Sequence, residues 1–139
     1  MKKLLLFLIA FVVSVRAMSQ TGHFYSSDLF SSSLISSVCQ DRQGYLWIAT
    51  DYGLNKFDGY YFSTYLHSEA DSTSLVANVV VTLFCDSRGR LWVGTNRGLD
   101  RYDSDRESFV HYPFPYGIEP RVSAIQEMAD GRLLIGTAG

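Results

Sequence analysis

Aspartates recur at equivalent places along this 139-residue chain and are its first candidates for chemistry. Asp41 and Asp58 return 45 residues later as Asp86 and Asp103, and Asp51 lies in a similar turn-rich segment. Two carboxylates that face each other across a sugar are the catalytic residues of a typical glycoside hydrolase. However, aspartate also favours turns, because its side chain accepts a hydrogen bond from a backbone N–H two residues on. Catalysis has no reason to recur in every copy of a repeat, so we predict turns and no catalytic residue.

Metal binding is disfavoured by the spacing of the possible ligands. A calcium loop needs oxygen ligands at alternate positions and a distal glutamate, but Gln43 and Arg88 occupy the next alternate positions after the recurring aspartates. The histidines, which are His23, His67 and His111, fall at non-equivalent places in the repeat. They also lack the spacing of a zinc site. We therefore predict neither a metal site nor a cofactor.

Aromatic rings can bind sugars by stacking, so their positions also matter. Trp47 and Trp92 lie in the middle of apolar segments, each two residues before a small residue. This placement favours packing between sheets over ligand binding. The better candidates for stacking on a sugar lie in predicted loops and are Tyr52, Phe114 and Tyr116.

These residues belong to a block of sequence that occurs twice and begins a third time. Residues 35–58 resemble residues 80–103 position by position, and a third copy starts near Val122. The recurring structural positions are Asp41, Gly44, Trp47 and Gly53, then Asp86, Gly89, Trp92 and Gly98, with Gly131 in the third copy. A period of about 40 to 50 residues built of short apolar segments is typical of a β-propeller.

Each copy of the block predicts four short antiparallel strands. In the first copy the strand-like segments are residues 35–40, 45–50, 54–57 and 60–66, separated by turn sequences. Four strands joined by tight turns form one propeller blade. The second segment is apolar on both faces, which indicates that the sheet is covered on both sides. The predicted fold class is therefore all-β, with about two and a half blades of an incomplete propeller.

The blades and their connections divide the chain into segments. We assign residues 35–66 to blade 1, 67–78 to a linker, 79–112 to blade 2, 113–120 to a second linker and 121–139 to the start of blade 3. Residues 20–34 form an N-terminal segment, in which Phe24 and Tyr25 are candidates for a strand that closes the propeller ring. Because fewer than three copies are present, we expect the other blades in a longer protein.

The first 19 residues differ from the rest of the chain. Met1-Lys2-Lys3 is basic, residues 4–15 are apolar apart from Ser14, and Ala17-Met18-Ser19 offers small residues for cleavage. This layout is typical of a secretory signal peptide, so we expect export; a retained membrane anchor is the alternative. Residues 1–19 hold three of the 12 basic residues and no acidic one, which leaves the exported chain with a net charge of −5. This charge disfavours nucleic acid as a partner.

The chain has two cysteines, Cys39 and Cys85. Export would permit a disulfide between them. In the alignment of the repeats, however, Cys39 corresponds to Phe84, and Cys85 corresponds to Gln40. The two thiols therefore lie on opposite faces of equivalent strands, and we predict two separate strand cysteines.

The motif D-x-x-G-x-L-W-[IV]-[AG]-T-x-x-G-L-x-[RK]-[FY]-D spans residues 41–58 and 86–103. Together with Phe62-Ser63-Thr64-Tyr65 and the linker sequence Asp71-Ser72-Thr73-Ser74-Leu75, it resembles the two-component regulator propeller repeat. The third copy departs from the motif, because Leu134 stands where the family has tryptophan. The resemblance covers residues 22–139.

This resemblance implies the start of the periplasmic sensor region of a hybrid two-component histidine kinase of the kind abundant in Bacteroidetes. In such proteins the propellers precede a membrane span, a kinase, a receiver and a DNA-binding domain, and they sense carbohydrate fragments to control polysaccharide-utilisation genes. We therefore expect a non-enzymatic segment that binds an oligosaccharide, contacts the remaining blades and downstream sensor domains, and belongs to a homodimer. No motif assigns its ligand-binding residues. A secreted propeller enzyme acting on polysaccharide and a structural or interaction propeller stay open as alternatives.

Overall fold

The computed structural model describes residues 31–138. The predicted signal peptide and the predicted closing strand at Phe24 and Tyr25 lie outside the described residues. The described part of the chain is all-β, as predicted, with ten strands and one short 3-10 turn at Pro115–Gly117.

The strands form two four-stranded sheets and one two-stranded sheet. Blade 1 contains β1 (Ile35–Gln40), β2 (Leu46–Thr50), β3 (Gly53–Phe57) and β4 (Phe62–Tyr65). Blade 2 contains β5 (Val80–Cys85), β6 (Leu91–Thr95), β7 (Gly98–Asp103) and β8 (Ser108–Tyr112), and blade 3 contributes β9 (Arg121–Glu127) and β10 (Leu133–Ala138). In each sheet the strands pair antiparallel in chain order. This is the meander expected of propeller blades.

The blades stack face to face, with the innermost strand of each blade against that of the next. β1 contacts β5, and β5 contacts β9. Between blades 1 and 2 the core is aromatic: the Trp47 and Tyr102 ring centroids lie 4.6 Å apart at a steep angle. The Tyr65 and Tyr102 hydroxyls lie 3.1 Å apart, so the polar ends of these rings pair with each other inside the interface.

Strand β6 is buried along its whole length, because blade 1 covers one face and blade 3 covers the other. Leu91 and Val93 belong to the core with blade 1, whereas Trp92 belongs to a second core with Val122 and Ile125 of β9. This confirms the prediction that the strand is covered on both sides. By contrast, β10 is only half covered, and Leu134 is 60% exposed.

Gly94 shows why a small residue follows the tryptophan in blade 2. A Cβ at this position would lie 2.7 Å from Thr82 Cγ2 and 2.8 Å from Val122 Cγ1. Real side chains do not approach that closely, so a larger residue would push β9 away from β6. The glycine therefore makes room for the inner strand of the next blade.

The outermost strand of blade 1 is shorter than the segment predicted from sequence. β4 begins at Phe62 rather than at residue 60. Asp58 explains the difference, because its Oδ1 accepts hydrogen bonds from the N–H groups of Tyr60 (2.8 Å) and Tyr61 (2.7 Å). These bonds hold both tyrosines in the turn, where they are strongly exposed.

The prediction of two separate cysteines is wrong: Cys39 and Cys85 form a disulfide, with their Cα atoms 6.6 Å apart. Cys39 lies opposite Trp47 in the β1–β2 register, and Cys85 lies opposite Leu91 in the β5–β6 register. Trp47 and Leu91 belong to the same core between blades 1 and 2. When equivalent sheets stack, opposite faces of neighbouring blades meet. The offset of one residue, which the sequence argument took as separating the thiols, is what brings them together.

Candidate functional site

The antiparallel meander sorts the connections into two ends of each blade. The β2–β3 turn and the linker that leaves β4 lie at one end, which we call the linker end. The β1–β2 and β3–β4 turns lie at the other, which we call the turn end. The same division holds for blade 2. Functional side chains at either end come from segments far apart in sequence.

At the turn end, two of the recurring aspartates, Asp41 and Asp86, bond the recurring tryptophans. Asp86 Oδ2 accepts a hydrogen bond from the Trp92 indole N–H at 2.9 Å, and Asp41 Oδ2 accepts one from that of Trp47 at 2.7 Å. The other oxygen of each aspartate accepts backbone N–H groups of its own turn, including those of Tyr45 and Arg90. These carboxylates are therefore occupied by the fold, which leaves them poorly placed for catalysis.

The pKa of Asp86 reflects two opposing effects. Burial is the largest single influence and raises the pKa, since it penalises the charged carboxylate. The hydrogen bonds from Trp92 and from the backbone and guanidinium of Arg90 together outweigh it. The result is a pKa below the ordinary range, so Asp86 is ionised at neutral pH.

In the third copy the aspartate and the tryptophan are lost together. Met128 takes the place of the aspartate, since the Met128 N–H donates to the Arg132 carbonyl at 2.8 Å and the Gly131 N–H donates to the Met128 carbonyl at 2.9 Å. These bonds repeat the turn of the first two copies. Leu134 stands in the tryptophan position, where no acceptor is needed.

At the linker end, two adjoining depressions form one groove beside blade 2. Their volumes are about 230 Å³ and 200 Å³, and both are lined by Val76, Arg97 and His111. One side is polar, with His67, Glu69 and Asp71, and the other is largely apolar, with Leu99, Tyr112, Pro113, Phe114 and Ile118. We call the whole the linker-end groove.

The first linker is held against blade 2 by Asp100 and His111, which pair across β7 and β8. Asp100 is fully buried and accepts the Val76 N–H at 2.8 Å. Its other oxygen lies 2.6 Å from His111 Nδ1, while His111 Nε2 lies 2.8 Å from the Ser72 carbonyl. Burial raises the pKa of Asp100, against the opposing effects of these hydrogen bonds.

His67 holds the same linker from its other side. Its Nδ1 lies 2.6 Å from the Leu75 carbonyl, and its Nε2 lies 3.4 Å from Glu69. The Leu75 carbonyl and the Glu69 carboxylate raise the pKa of His67, because both favour the protonated ring. Both ring nitrogens of His67 and of His111 thus face acceptors.

Arg97 crosses the middle of the groove and pairs with Glu119 of the second linker, with Nη2 and Oε2 2.8 Å apart. Both side chains are about half exposed. The pair is open to solvent, so a ligand that offers hydrogen bonds can compete for either partner at modest cost.

The aromatic residues predicted to bind sugars all lie at the linker end, but they do not form one platform. Phe114 lines the groove and packs on the core between blades 2 and 3. Tyr116 is fully exposed beside the groove, and Tyr52 is 54% exposed in the β2–β3 turn of blade 1. The two tyrosines are not part of the groove wall. Sequence reasoning missed Arg97, His67 and His111, which only the folding of the linker brings together.

Within residues 31–138 no group of three or more histidine, cysteine, aspartate or glutamate side chains is arranged to hold a metal ion. In the same stretch, no helix is long and apolar enough to cross a membrane.

Comparisons with known proteins agree with the repeat pattern. The family model described as two component regulator propeller matches residues 29–52 and 74–97. A curated relative, Histidine kinase P4 of Formosa agariphila, is 39% identical over 66 residues, which is 45% of this chain and 5% of that protein. The chain therefore spans about a twentieth of this relative.

Solved structures share the same architecture. The extracellular domain assigned to the hybrid two component system BT3049 of B. thetaiotaomicron superposes with a TM-score of 0.71 at 29% identity, covering 81% of this chain and 17% of that domain. The corresponding domain of BT4673 from the same organism superposes with a TM-score of 0.63 at 25% identity. This match covers 75% of this chain and 15% of that domain. Virginiamycin B lyase from Staphylococcus aureus superposes with a TM-score of 0.56 over 74% of this chain and 34% of the lyase. At 16% identity it shares the fold alone. Two segments of the chain, residues 29–52 and 74–97, are thus similar to the two-component regulator propeller repeat, and the fold around them is that of the extracellular domains of hybrid two-component systems.

Proposed function

We propose that this chain is part of the periplasmic sensor region of a hybrid two-component system and that its linker-end groove binds an oligosaccharide. The family repeats support the sensor assignment, as do the two B. thetaiotaomicron neighbours, which are extracellular domains of such systems. In this account the segment itself is not an enzyme. Kinase activity and control of polysaccharide-utilisation genes belong to other domains of a longer protein.

The observation that carries the ligand proposal is the composition of the linker-end groove. An apolar wall that includes Phe114 faces a polar side that includes His67 and the solvent-accessible Arg97–Glu119 pair. Small-molecule sites combine an apolar lining with a few polar groups that fix orientation. A sugar ring suits such a groove, since its C–H face packs on aromatic or aliphatic side chains and its hydroxyls bond the polar groups.

The rival proposal of a polysaccharide-degrading enzyme finds each carboxylate of the groove engaged within the chain. Glu69 lies 3.4 Å from His67. Asp71 accepts hydrogen bonds from the N–H and the hydroxyl of Thr73, and Glu119 is paired with Arg97. A glycosidase would need one carboxylate to give up a proton and another to attack or to activate water. Turnover of any polysaccharide by the purified protein would nevertheless establish the enzyme and refute the proposal.

The proposal is tested by isothermal titration of the exported chain with oligosaccharides from plant and host glycans. Arg97→Gln removes the guanidinium charge from an exposed side chain, so we expect the variant to fold. It should weaken binding about tenfold, which is a loss of about 1.4 kcal/mol in binding free energy. Phe114→Ala should do the same, provided that its melting temperature stays close to that of the parent.

The control for both variants is Tyr60→Ala, which removes an exposed ring at the turn end, where we expect no change in oligosaccharide binding. If no oligosaccharide binds, the interaction-propeller alternative takes the place of this proposal. A homodimer formed through other domains would not change this outcome, because the groove lies within one chain.

A further inference from the structure

We propose that the cleft between blades 1 and 2 at the turn end is a second binding site, which takes one uncharged sugar ring or a similar small polyol. The cleft has a volume of about 250 Å³. Its polar lining consists of Asp41, Gln43, Tyr45, Lys56, Ser104 and Glu107. It lies at the opposite end of the blades from the linker-end groove, so it does not depend on the function proposed for that groove.

Lys56 is held on an aromatic wall of this cleft. Its ammonium nitrogen lies 4.1 Å from the centroid of the Tyr45 ring, 5.5 Å from that of Trp47 and 5.7 Å from that of Tyr102. Such cation–π contacts stabilise the position of the ammonium but leave its three N–H donors unused. Among the residues that the structure describes, no carboxylate comes within 4.0 Å of it.

Four further side chains of the cleft have unused hydrogen-bonding groups. Across residues 31–138, the polar side-chain atoms of Gln43, Tyr45, Ser104 and Glu107 make no hydrogen bond or ion pair. The Asp41 carboxylate, by contrast, is already bonded to the Tyr45 N–H and the Trp47 indole. The free groups of the cleft are therefore one ammonium, one carboxylate, one amide and two hydroxyls.

This mixture selects the chemistry of the ligand. The ammonium of Lys56 can only donate hydrogen bonds and the carboxylate of Glu107 can only accept them, so a ligand must do both. A simple anion would be repelled by Glu107, and a simple cation by Lys56. Hydroxyl groups donate and accept without a net charge. Tyr45 lines the same cleft, and its hydroxyl can donate a hydrogen bond to such a ligand or accept one from it.

The turn that supplies Ser104 and Glu107 is special to blade 2. Cross-strand pairs Phe57–Phe62 and Tyr102–Phe109 are equivalent in the two blades, so the turn of blade 2 is two residues longer. Glu107 has a φ of 50°, a left-handed conformation that residues other than glycine rarely adopt. Because the turn is longer in blade 2, Ser104 and Glu107 reach the cleft that Lys56 lines.

The experiment is a titration of the exported chain with neutral monosaccharides, in which ligand-observed NMR and calorimetry measure the binding. We expect at least one neutral hexose or pentose to bind with a dissociation constant of about 10 mM or tighter. Lys56→Met keeps an unbranched side chain over the rings and should weaken that binding about tenfold. Glu107→Gln should weaken it severalfold.

Arg101→Met is the matched control, because Arg101 occupies the same repeat position in blade 2 but its Nε bonds to the Tyr112 hydroxyl instead of facing this cleft. It should leave binding unchanged, as should Arg97→Gln in the linker-end groove. The proposal is overturned if no neutral monosaccharide binds, if Lys56→Met and Glu107→Gln bind as well as the parent, or if amino acids or uronates bind more tightly than neutral sugars. Failure of oligosaccharide binding at the groove would leave this result unaffected.

Discussion

The pairing of aspartate with tryptophan explains why these two residue types recur together. The indole N–H of a buried tryptophan needs an acceptor, and a turn aspartate six residues earlier supplies it in both complete copies. In the third copy Met128 and Leu134 replace both partners, so neither a buried donor nor a desolvated carboxylate is left unpaired. The ring and the turn are therefore one structural unit.

Replacement of Asp86 by alanine should destabilise the chain by about 2 to 3 kcal/mol, since it leaves the Trp92 N–H and two backbone N–H groups without their acceptor. Urea denaturation measures this loss. Asp130→Ala is the control, because Asp130 is half exposed and bonds only its own turn and Arg132. The control should change stability by less than about 0.5 kcal/mol, and equal losses for the two variants would contradict the role given to Asp86.

At the scale of single residues, the sequence predicted the turns but not what the turn side chains hold. The positions of Asp41 and Gly44 follow from local backbone preferences, which a sequence displays directly. The bond to the Trp47 indole depends on how the turn folds over the next strand. The fixed spacing of six residues between aspartate and tryptophan was the available signal.

Among the structural elements, the linker before each blade is held in two chemically different ways. In blade 1, Asn55 Oδ1 accepts the Ser31 N–H and the Thr64 hydroxyl. In blade 2, Asp100 and His111 take the equivalent places of Asn55 and Thr64. The contact in blade 1 is uncharged, whereas the contact of residues 67–78 with blade 2 contains groups that titrate. Only the contact in blade 2 should therefore respond to pH.

The stability that His67 contributes should fall as the pH rises. Its pKa in the folded chain is raised, so its stabilising effect is complete below the ordinary histidine pKa of about 6.5 and is lost as the pH rises through the folded value. Amide hydrogen exchange of residues 67–78 measures this, with correction for the intrinsic exchange rate. We expect more protection at pH 5.5 than at pH 8, and a smaller difference in His67→Gln. Equal protection in the parent at both pH values would contradict the role of the histidine.

The disulfide should stabilise the stacking of blades 1 and 2. It closes a loop between positions 46 residues apart, for which the loop-entropy model gives about 4 kcal/mol at most. The double variant Cys39→Ala/Cys85→Ala should therefore lose about 2 to 4 kcal/mol in urea denaturation. A reductant should destabilise the parent similarly and leave the double variant unaffected. No effect of the reductant on the parent would contradict the disulfide.

At the scale of the whole molecule, the described blades leave two apolar flanks uncovered. Ile35 and Val38 are about half exposed on blade 1, and Leu134 is 60% exposed on β10. Uncovered sheet faces and edges favour association with other chains. We expect residues 20–139 to self-associate at micromolar concentrations in sedimentation velocity. A single monomeric species with a sharp, cooperative melting transition would contradict this expectation.

The architecture was predictable from sequence because the repeat displays it twice, whereas the contacts between blades were not. The period and the alternation of apolar residues predict sheets that stack. They do not state which faces meet, and for that reason the position of Cys39 relative to Cys85 was misread. The linker-end groove likewise depends on the path of a polar linker, whose bonds to Asp100 and His111 leave no periodic signal.

The central claim, that the linker end binds an oligosaccharide, is tested most directly by hydrogen exchange with and without the tightest-binding oligosaccharide. We expect added protection in residues 67–78 and 113–120 and around Arg97, whether or not the turn end is protected as well. Protection confined to the turn end, or release of shorter sugars during the measurement, would contradict it.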